Sequence, residues 1–466
     1  MASNIRHIPE SSSCSTAETI VEKRELSIDK DSFKSPQALP PVIPLTHQNR
    51  TLVLCFDGTG DQFDADNSNV VQLVSLLMKD DRDKQLVYYQ TGIGTYTAKN
   101  RTVSPLMSQL QKILDTMFAH TIDAHVMGGY KFLMQNCMLH KVGLLPPSNS
   151  EQVPFAYTIY RRTDGLGWEQ ANEFKRAFSI NVDIEFLGVW DTVGSVGFKV
   201  GELPFLTSNR FIKTYRHAIS LDEHRAKFQA NQWNKPTSEE AKLGLPDLGS
   251  RPPTDIGEVW FAGCHSDVGG GSVSNQTRHS LARIPLRWMV REIFKAHAGI
   301  LFLTDRLYEI GLDPSTVYPT VLDRPVPLHV GEHKIRKPTR EQLPFRHSMF
   351  RPKLPITRVS GPPATGPSAM LPSEEHEELM DVLSPIYDQM SIKKWWWLLE
   401  FIPVPLRRVW HGRSTTRLRF NFGRGRVVPS DTETPIVHRS VKMRMEAERG
   451  KYKPRVKFPV KPRYVE

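Results

Sequence analysis

Three apolar runs in this chain stop in the same way, on a polar residue followed by glycine. Thr51-Leu52-Val53-Leu54-Cys55-Phe56 closes on Asp57-Gly58-Thr59-Gly60. Ile184-Glu185-Phe186-Leu187-Gly188-Val189-Trp190 closes on Asp191-Thr192-Val193-Gly194. Val259-Trp260-Phe261-Ala262-Gly263-Cys264 closes on His265-Ser266-Asp267-Val268-Gly269-Gly270-Gly271. Runs of strand length that are apolar on both faces suit buried strands of a parallel sheet, and a glycine turn ends each one. Such a sheet gathers the ends of its strands along one edge. Asp191 and His265 are then candidates to meet there, although the residues alone also allow a capping aspartate and a structural histidine.

The segments between the strands support the same architecture. Asn67-Ser68-Asn69 supplies cap residues for an amphipathic helix through Val70, Leu73, Leu76 and Leu77, and Leu86-Val87-Tyr88-Tyr89 reads as the next strand. Alternation at this spacing predicts βαβ units, hence an α/β fold with a mostly parallel sheet flanked by helices. Helical patterns follow at 106–118 and 122–136, and 138–145 resembles the tail of another helix, so that helix meets helix with no strand between. A long helix is expected over about 280–298.

Four divisions are expected: a disordered arm over 1–49, rich in Ser, Pro and charge; a catalytic-type domain over 50–335; a Pro-rich linker or loop over 336–370; and a helical, Trp-rich, basic extension over 371–466. Ser373 should cap a short helix in that extension, with acids in its first turn. From residue 401 onward there are 17 Lys or Arg against 5 Asp or Glu, so the net charge of +11 resides in the tail. Trp395, Trp396 and Trp397 stand just before it, and indoles next to cations suit an anionic membrane surface; the alternative is a helix packed on the main domain. Arg424 and Arg426 in Gly423-Arg424-Gly425-Arg426 are the best argument for nucleic acid, but no recognised binding fold accompanies them, and no nucleic-acid partner is expected.

The four cysteines, Cys14, Cys55, Cys137 and Cys264, have no C-x-x-C spacing, which fits reduced thiols in an intracellular protein. The sequence contains no signal-peptide core and no run of about 18 apolar residues, so a cytoplasmic or peripheral-membrane location is expected. No cofactor and no metal are expected, because nothing in the spacing of Asp57, Asp191, His265 and Asp267 enforces a cation site.

Acid before base, each at a strand end, is the order that follows a serine on a G-x-S-x-G elbow. No G-x-S-x-G occurs in the 466 residues. Phe56-Asp57-Gly58-Thr59-Gly60 with Asn67-Ser68-Asn69-Val70, Phe186-Leu187-Gly188-Val189-Trp190-Asp191-Thr192-Val193, Ser220-Leu221-Asp222-Glu223 and His265 to Gly271, in this order, resemble an α/β-hydrolase family related to the catalytic domain of type VI secretion phospholipase effectors. The resemblance covers roughly 50–300 and is strongest to the fungal branch, including Leu281-Ala282-Arg283-Ile284-Pro285-Leu286-Arg287-Trp288. It implies a serine hydrolase acting on a lipid ester, with Asp191 as the acid and His265 as the base. It leaves Asp57, Gly58, Thr59 and Gly60 as either an oxyanion loop or a tight turn, and Asp267, Gly269 and Gly270 as support for the histidine loop.

In that family a strand ending in Gly-Phe-Ser-Arg-Gly-Ala follows the helix matched here by Ala124 to Asn136. This chain instead runs from Asn136-Cys137 directly into Met138-Leu139-His140. The expectation is therefore a hydrolase-like sheet lacking its nucleophile-elbow strand, and a chain catalytically impaired as written. The alternative is a non-catalytic protein that binds membranes or partners on the same scaffold. Cys137 on an apolar helical stretch and Cys264 in a presumed strand are poor substitutes for the serine.

Overall fold

A computed structural model describes residues 39–45, 49–58, 61–92, 145–162, 164–179, 183–193, 212–233, 252–337, 372–394, 396–410, 413–428, 434–447 and 450–466. The elements in chain order are β1 (Val42–Ile43), β2 (Thr51–Phe56), α1 (Asn69–Leu76), β3 (Gln85–Gln90), α2 (Val153–Arg161), α3 (Gly165–Phe178), β4 (Ile184–Trp190), β5 (Ile212–Ser220), β6 (Asp255–Phe261), α4 (His265–Gly269), α5 (Arg283–Lys295), β7 (Phe302–Leu303) and α6 (Thr304–Glu309). Then come α7 (Glu374–Val382), α8 (Gln389–Ile392), α9 (Trp396–Glu400), the hairpin β8 (Val404–Trp410) and β9 (Arg413–Arg419), β10 (Ile436–His438), α10 (Arg439–Glu446) and β11 (Arg463–Val465).

The main sheet has five strands in the order β11-β10-β6-β5-β4, and every pairing in it is parallel. β2 and β3 form a second, two-stranded parallel sheet with α1 as the crossover. This is the α/β architecture that the alternation predicts. The Ser68 hydroxyl caps α1 by accepting the Val71 N–H, as the Asn67-Ser68-Asn69 signal implies. α5, read from sequence as a long helix, is buried from Ile284 to Phe294 and is the central helix of the fold. Its Met289 and Ile293 share one core with Val53 and Leu76 of the smaller sheet unit and Phe261 of β6.

Residues 372–466, expected as an extension, contribute β10 and β11 to the main sheet. Ser373 caps α7 as anticipated, but the acids of that helix face inward. Asp381 pairs with Arg287 of α5 at 2.7 Å, Glu374 with Arg291 at 2.5 Å, and Glu378 with Arg439 at 2.7 Å. Burial alone would push the Glu378 carboxyl up; the surrounding cations, Arg324 foremost, outweigh it and hold the group at about 2. These complementary buried charges join two segments that the sequence reading had separated.

At the other end, the last part of the expected arm is structured: β1 pairs antiparallel with β7. Residues 1–38 lie outside the described residues, as do all but the first two residues of the linker expected over 336–370 and the helical patterns at 106–118 and 122–136. Among the described residues, no helix is long and apolar enough to cross a membrane.

Candidate active site

β4 and β6 flank β5 in parallel, so their C-terminal ends point the same way. At the end of β4 the chain turns sharply through Asp191, which has φ +44°, a left-handed conformation that few non-glycine residues adopt. The Asp191 N–H donates to Ala218 O at 2.7 Å, and the Ser220 N–H donates to Asp191 Oδ1 at 2.8 Å, so the end of β5 holds both backbone and carboxylate. The next residue is fixed as well, because the Thr192 N–H donates to Nε2 of the fully buried His217.

β6 ends at Phe261 and passes through Gly263 at φ +111°, where a Cβ would lie 2.4 Å from the Asp267 side chain. Cys264 then caps α4, and His265 is that helix's first residue. Cys264 therefore lies in a cap, not in a strand as expected. Burial raises its thiol well above the ordinary value, and Sγ donates to Asp222 O.

His265 Nδ1 lies 2.6 Å from Asp191 Oδ2. A carboxylate only accepts, so Nδ1 carries the proton, and Nε2 is left as the ring's second nitrogen. Asp191 is wholly buried, whereas the His265 side chain keeps 31% of its surface exposed, which leaves a face open to solvent. Phe228 stands edge-on to the imidazole, with ring centroids 5.1 Å apart. Burial works against the charge on Asp191, but the Arg426 guanidinium and His265 overcome it and hold the carboxyl far below the usual range.

Glu223, Arg225 and Asp222, in the Ser220 to Arg225 segment, hold groups around this place. Glu223 Oε2 accepts the His265 N–H at 3.2 Å and Arg225 Nη2 at 2.7 Å. Arg225 in turn lies 3.5 Å over the Phe228 ring. Asp222 accepts the Gly263 N–H and the Tyr452 hydroxyl, each at 2.7 Å. Sequence reasoning noted this segment as a motif without assigning its residues.

Asp267 accepts the Cys264 N–H at 2.9 Å and the Tyr387 N–H at 3.0 Å through Oδ2, and so ties the histidine turn to the stretch before α8. Burial pushes this carboxyl up to about 7 against those bonds. Gly270 has φ +89°, and a Cβ there would lie 2.4 Å from Asn69 N, because the loop after α4 pairs with Ser68 at the start of α1. Gly269 has no such crowding, since a Cβ there meets nothing within 4 Å.

The partners of Asp57 lie in its own βαβ unit. Oδ1 accepts the Ser68 hydroxyl at 2.6 Å and the Gly58 N–H at 2.9 Å, and Oδ2 accepts the Tyr89 hydroxyl at 2.7 Å. The Gly58 N–H is thus engaged within the turn. Thr59 and Gly60 lie outside the described residues, as does the Asn136-Cys137-Met138 junction. Among the described residues, no group of three or more His, Cys, Asp or Glu is arranged to hold a metal ion.

Arg426, one of the two arginines that argued for nucleic acid, is buried on Asp191. Trp396 points inward, its ring 5.7 Å edge-on from Phe228, while Trp397 is exposed; Trp395 lies outside the described residues. The tryptophan segment is therefore partly packed on the main domain.

A parallel sheet that brings a buried aspartate and a partly exposed histidine together from strand ends on either side of β5 defines the chain as an α/β protein. A family model for the "T6SS, Phospholipase effector Tle1-like, catalytic domain" matches residues 50–138 and 136–292, together more than half of the chain. The chain belongs to this family.

An uncharacterized protein of Saccharomyces cerevisiae, YEL023C, is 32% identical over 234 residues, which are 40% of this chain and 33% of that protein. The chain thus matches about a third of the length of that curated relative. Among solved structures, an uncharacterized protein from Pseudomonas aeruginosa aligns at 18% identity and a TM-score of 0.33, covering 56% of this chain and 49% of that one. The Tle1 effector bound to the VgrG spike of the type 6 secretion system aligns at 17% identity and a TM-score of 0.24, covering 57% of this chain and 66% of that one.

Proposed function

We propose that this chain carries the acid–base half of a serine lipid esterase, with Asp191 and His265 in those roles, and lacks the segment that bears the nucleophile. The observation that carries this reading is the 2.6 Å contact between His265 Nδ1 and Asp191 Oδ2 at the ends of parallel strands. In a form with its serine, His265 Nε2 would take the hydroxyl proton as the serine attacked an ester carbonyl. Asp191 would stabilise the imidazolium, which would then protonate the leaving alkoxide, and water would release the acyl group by the same route. An oxyanion role for the loop after β2 would need N–H groups beyond Gly58, whose own is held by Asp57.

Two observations support the missing segment. The family match falls into two pieces that meet at residues 136–138. Among the described residues β4 pairs with β5 alone, and none of its seven residues is fully buried despite its apolar sequence, an unusual condition for a sheet edge. A further strand beside β4 would cover it.

The test is to sequence the transcript across the codons for Gln135 to Val142 and assay the encoded protein on phospholipids and simple carboxylic esters, with His265→Ala as control. An inserted Gly-x-Ser-x-Gly segment with His265-dependent hydrolysis supports the reading. Hydrolysis by the present chain that survives His265→Ala comes from elsewhere. If a form bearing the serine hydrolyses no ester, the lipid-esterase assignment fails.

A second reading, a non-catalytic binder of membranes, is favoured by an exposed aromatic group at the C-terminal side. Phe420 and Phe422 stack at 5.4 Å, Phe401 stands 5.7 Å from Phe422, and about half of the surface of each is exposed. Pelleting with anionic vesicles that is lost in Phe401→Ser with Phe422→Ser, but kept in His265→Ala, would favour it.

A further inference from the structure

We infer that Arg426 is a positioning residue of the Asp191–His265 pair: its guanidinium grips both carboxylate oxygens and balances their charge, and so holds the acid in the place from which it orients the imidazole. The inference rests on the reading of His265 as the base and goes beyond the family match, since Arg426 lies outside the matched residues.

The geometry is that of a fork. Nη1 donates to Asp191 Oδ1 at 2.5 Å and Nη2 to Oδ2 at 2.9 Å. The remaining donors meet the two segments that frame the site: Nη1 reaches Ser220 O at 3.1 Å and Oγ at 2.8 Å, while Nε and Nη2 reach Phe228 O at 2.9 and 2.7 Å. Ser220 also donates its N–H to Asp191, and the Phe228 ring lies against His265. One side chain thus fixes the acid, the strand end that holds the acid and the wall beside the base. Lysine has neither the plane nor the donors to do this.

A rigid turn delivers the arginine. Phe422 and Gly423 have φ +52° and +67°, and the Arg424 N–H closes the turn on Asn421 O. Glu400 accepts the Gly423 N–H and Asn421 Nδ2, each at 2.8 Å, and Asn421 Nδ2 also donates to His224 O at 2.7 Å. The turn is therefore locked to the Glu223 to Ala226 segment whose first residue holds the His265 N–H.

The electrostatic consequence follows from the groups around the ring. A carboxylate within hydrogen-bond distance favours imidazolium, and a guanidinium on the same oxygens opposes that. The charges facing His265 are Asp191 and Arg426 on one side and Glu223 with its partner Arg225 on the other. Each carboxylate has its own guanidinium, and removing Arg426 leaves one unbalanced.

The experiment is an NMR titration of His265 in the full chain, its ring signal assigned by loss in His265→Gln. Arg426→Met is expected to raise the His265 midpoint by about one to two pH units. Arg426→Lys is expected to leave the midpoint near its native position while lowering thermal stability. A folded Arg426→Met that titrates like the native chain overturns the proposal, and so does Arg426→Lys shifting as far as Arg426→Met.

If Arg426→Met does not fold, Asp191→Asn with Arg426→Met is made. Recovery of folding when both charges are removed supports coupling through Asp191; equal failure means that Arg426 only supports the backbone and overturns the proposal. The titration needs no turnover, so its failure leaves the esterase reading standing. Absence of hydrolysis from a serine-bearing form would sink that reading without touching this one.

Discussion

Replacing Asp267 by Asn should change how the stability of the fold depends on pH. Asp267 is wholly buried behind the histidine turn, and burial moves its carboxyl from the ordinary 3.8 up to about 7 even though it accepts N–H bonds from Cys264 and Tyr387. A raised acid binds its proton more tightly folded than unfolded. Its contribution is fully present below pH 3.8 and is lost as pH rises through about 7. The gap between those values corresponds to about 4 kcal/mol.

Asparagine keeps an acceptor for both N–H groups and cannot ionise. The stability of Asp267→Asn relative to the native chain should therefore rise by about 4 kcal/mol between pH 4 and pH 8, with most of the change complete by pH 7. Glu223 and Glu378, held at about 2 by their cations, act in the opposite sense. Their stabilisation is lost as pH falls below 4.5, at the lower edge of this window and equally in both proteins. Urea unfolding of the two proteins across this range, followed by tryptophan fluorescence, measures the difference. Parallel profiles would refute the claim that this carboxyl is strained by burial.

Three further outcomes follow from contacts around the site. Arg426→Met strands the Asp191 carboxylate in the interior and should cost about 3–5 kcal/mol in urea unfolding at neutral pH; a loss below about 1 kcal/mol would mean that Asp191 finds solvent. Gly270→Ala, with φ +89° and Asn69 N in the way, should lower stability by at least about 1–3 kcal/mol, whereas Gly269→Ala should be neutral or slightly stabilising. Equal melting temperatures for these two variants would contradict the close approach of the loop to α1. Cys55, raised to about 12 by burial, and Cys264, also raised, should resist iodoacetamide at pH 8 until the chain is unfolded. Site-resolved mass spectrometry decides, and rapid alkylation of either thiol in the folded protein would count against its burial.

What the sequence determined by itself was local. The continuous apolar runs of β2 and β4 and the Ser68 cap of α1 were legible because strand burial and helix capping depend on residues a few positions apart. The candidate acid and base were legible too, as polar residues at the ends of such runs, but only the fold brought Asp191 and His265 to 2.6 Å across β5. Cys264 was misread because a strand and the cap of a following helix share the same apolar flank, and the turn at Gly263 separates them only in three dimensions.

The largest departures lie in the C-terminal third, where charge reads from sequence as solvated surface. The Arg287–Asp381 and Arg291–Glu374 pairs bury it, and β10 adds itself to β6. Arg426 carries the point furthest, since its partner lies 235 positions earlier in the chain. A guanidinium looks the same in sequence whether it faces water, a phosphate or a buried carboxylate. Only tertiary packing, which removes the water and supplies the one acceptor pair that matches its fork, decides between them.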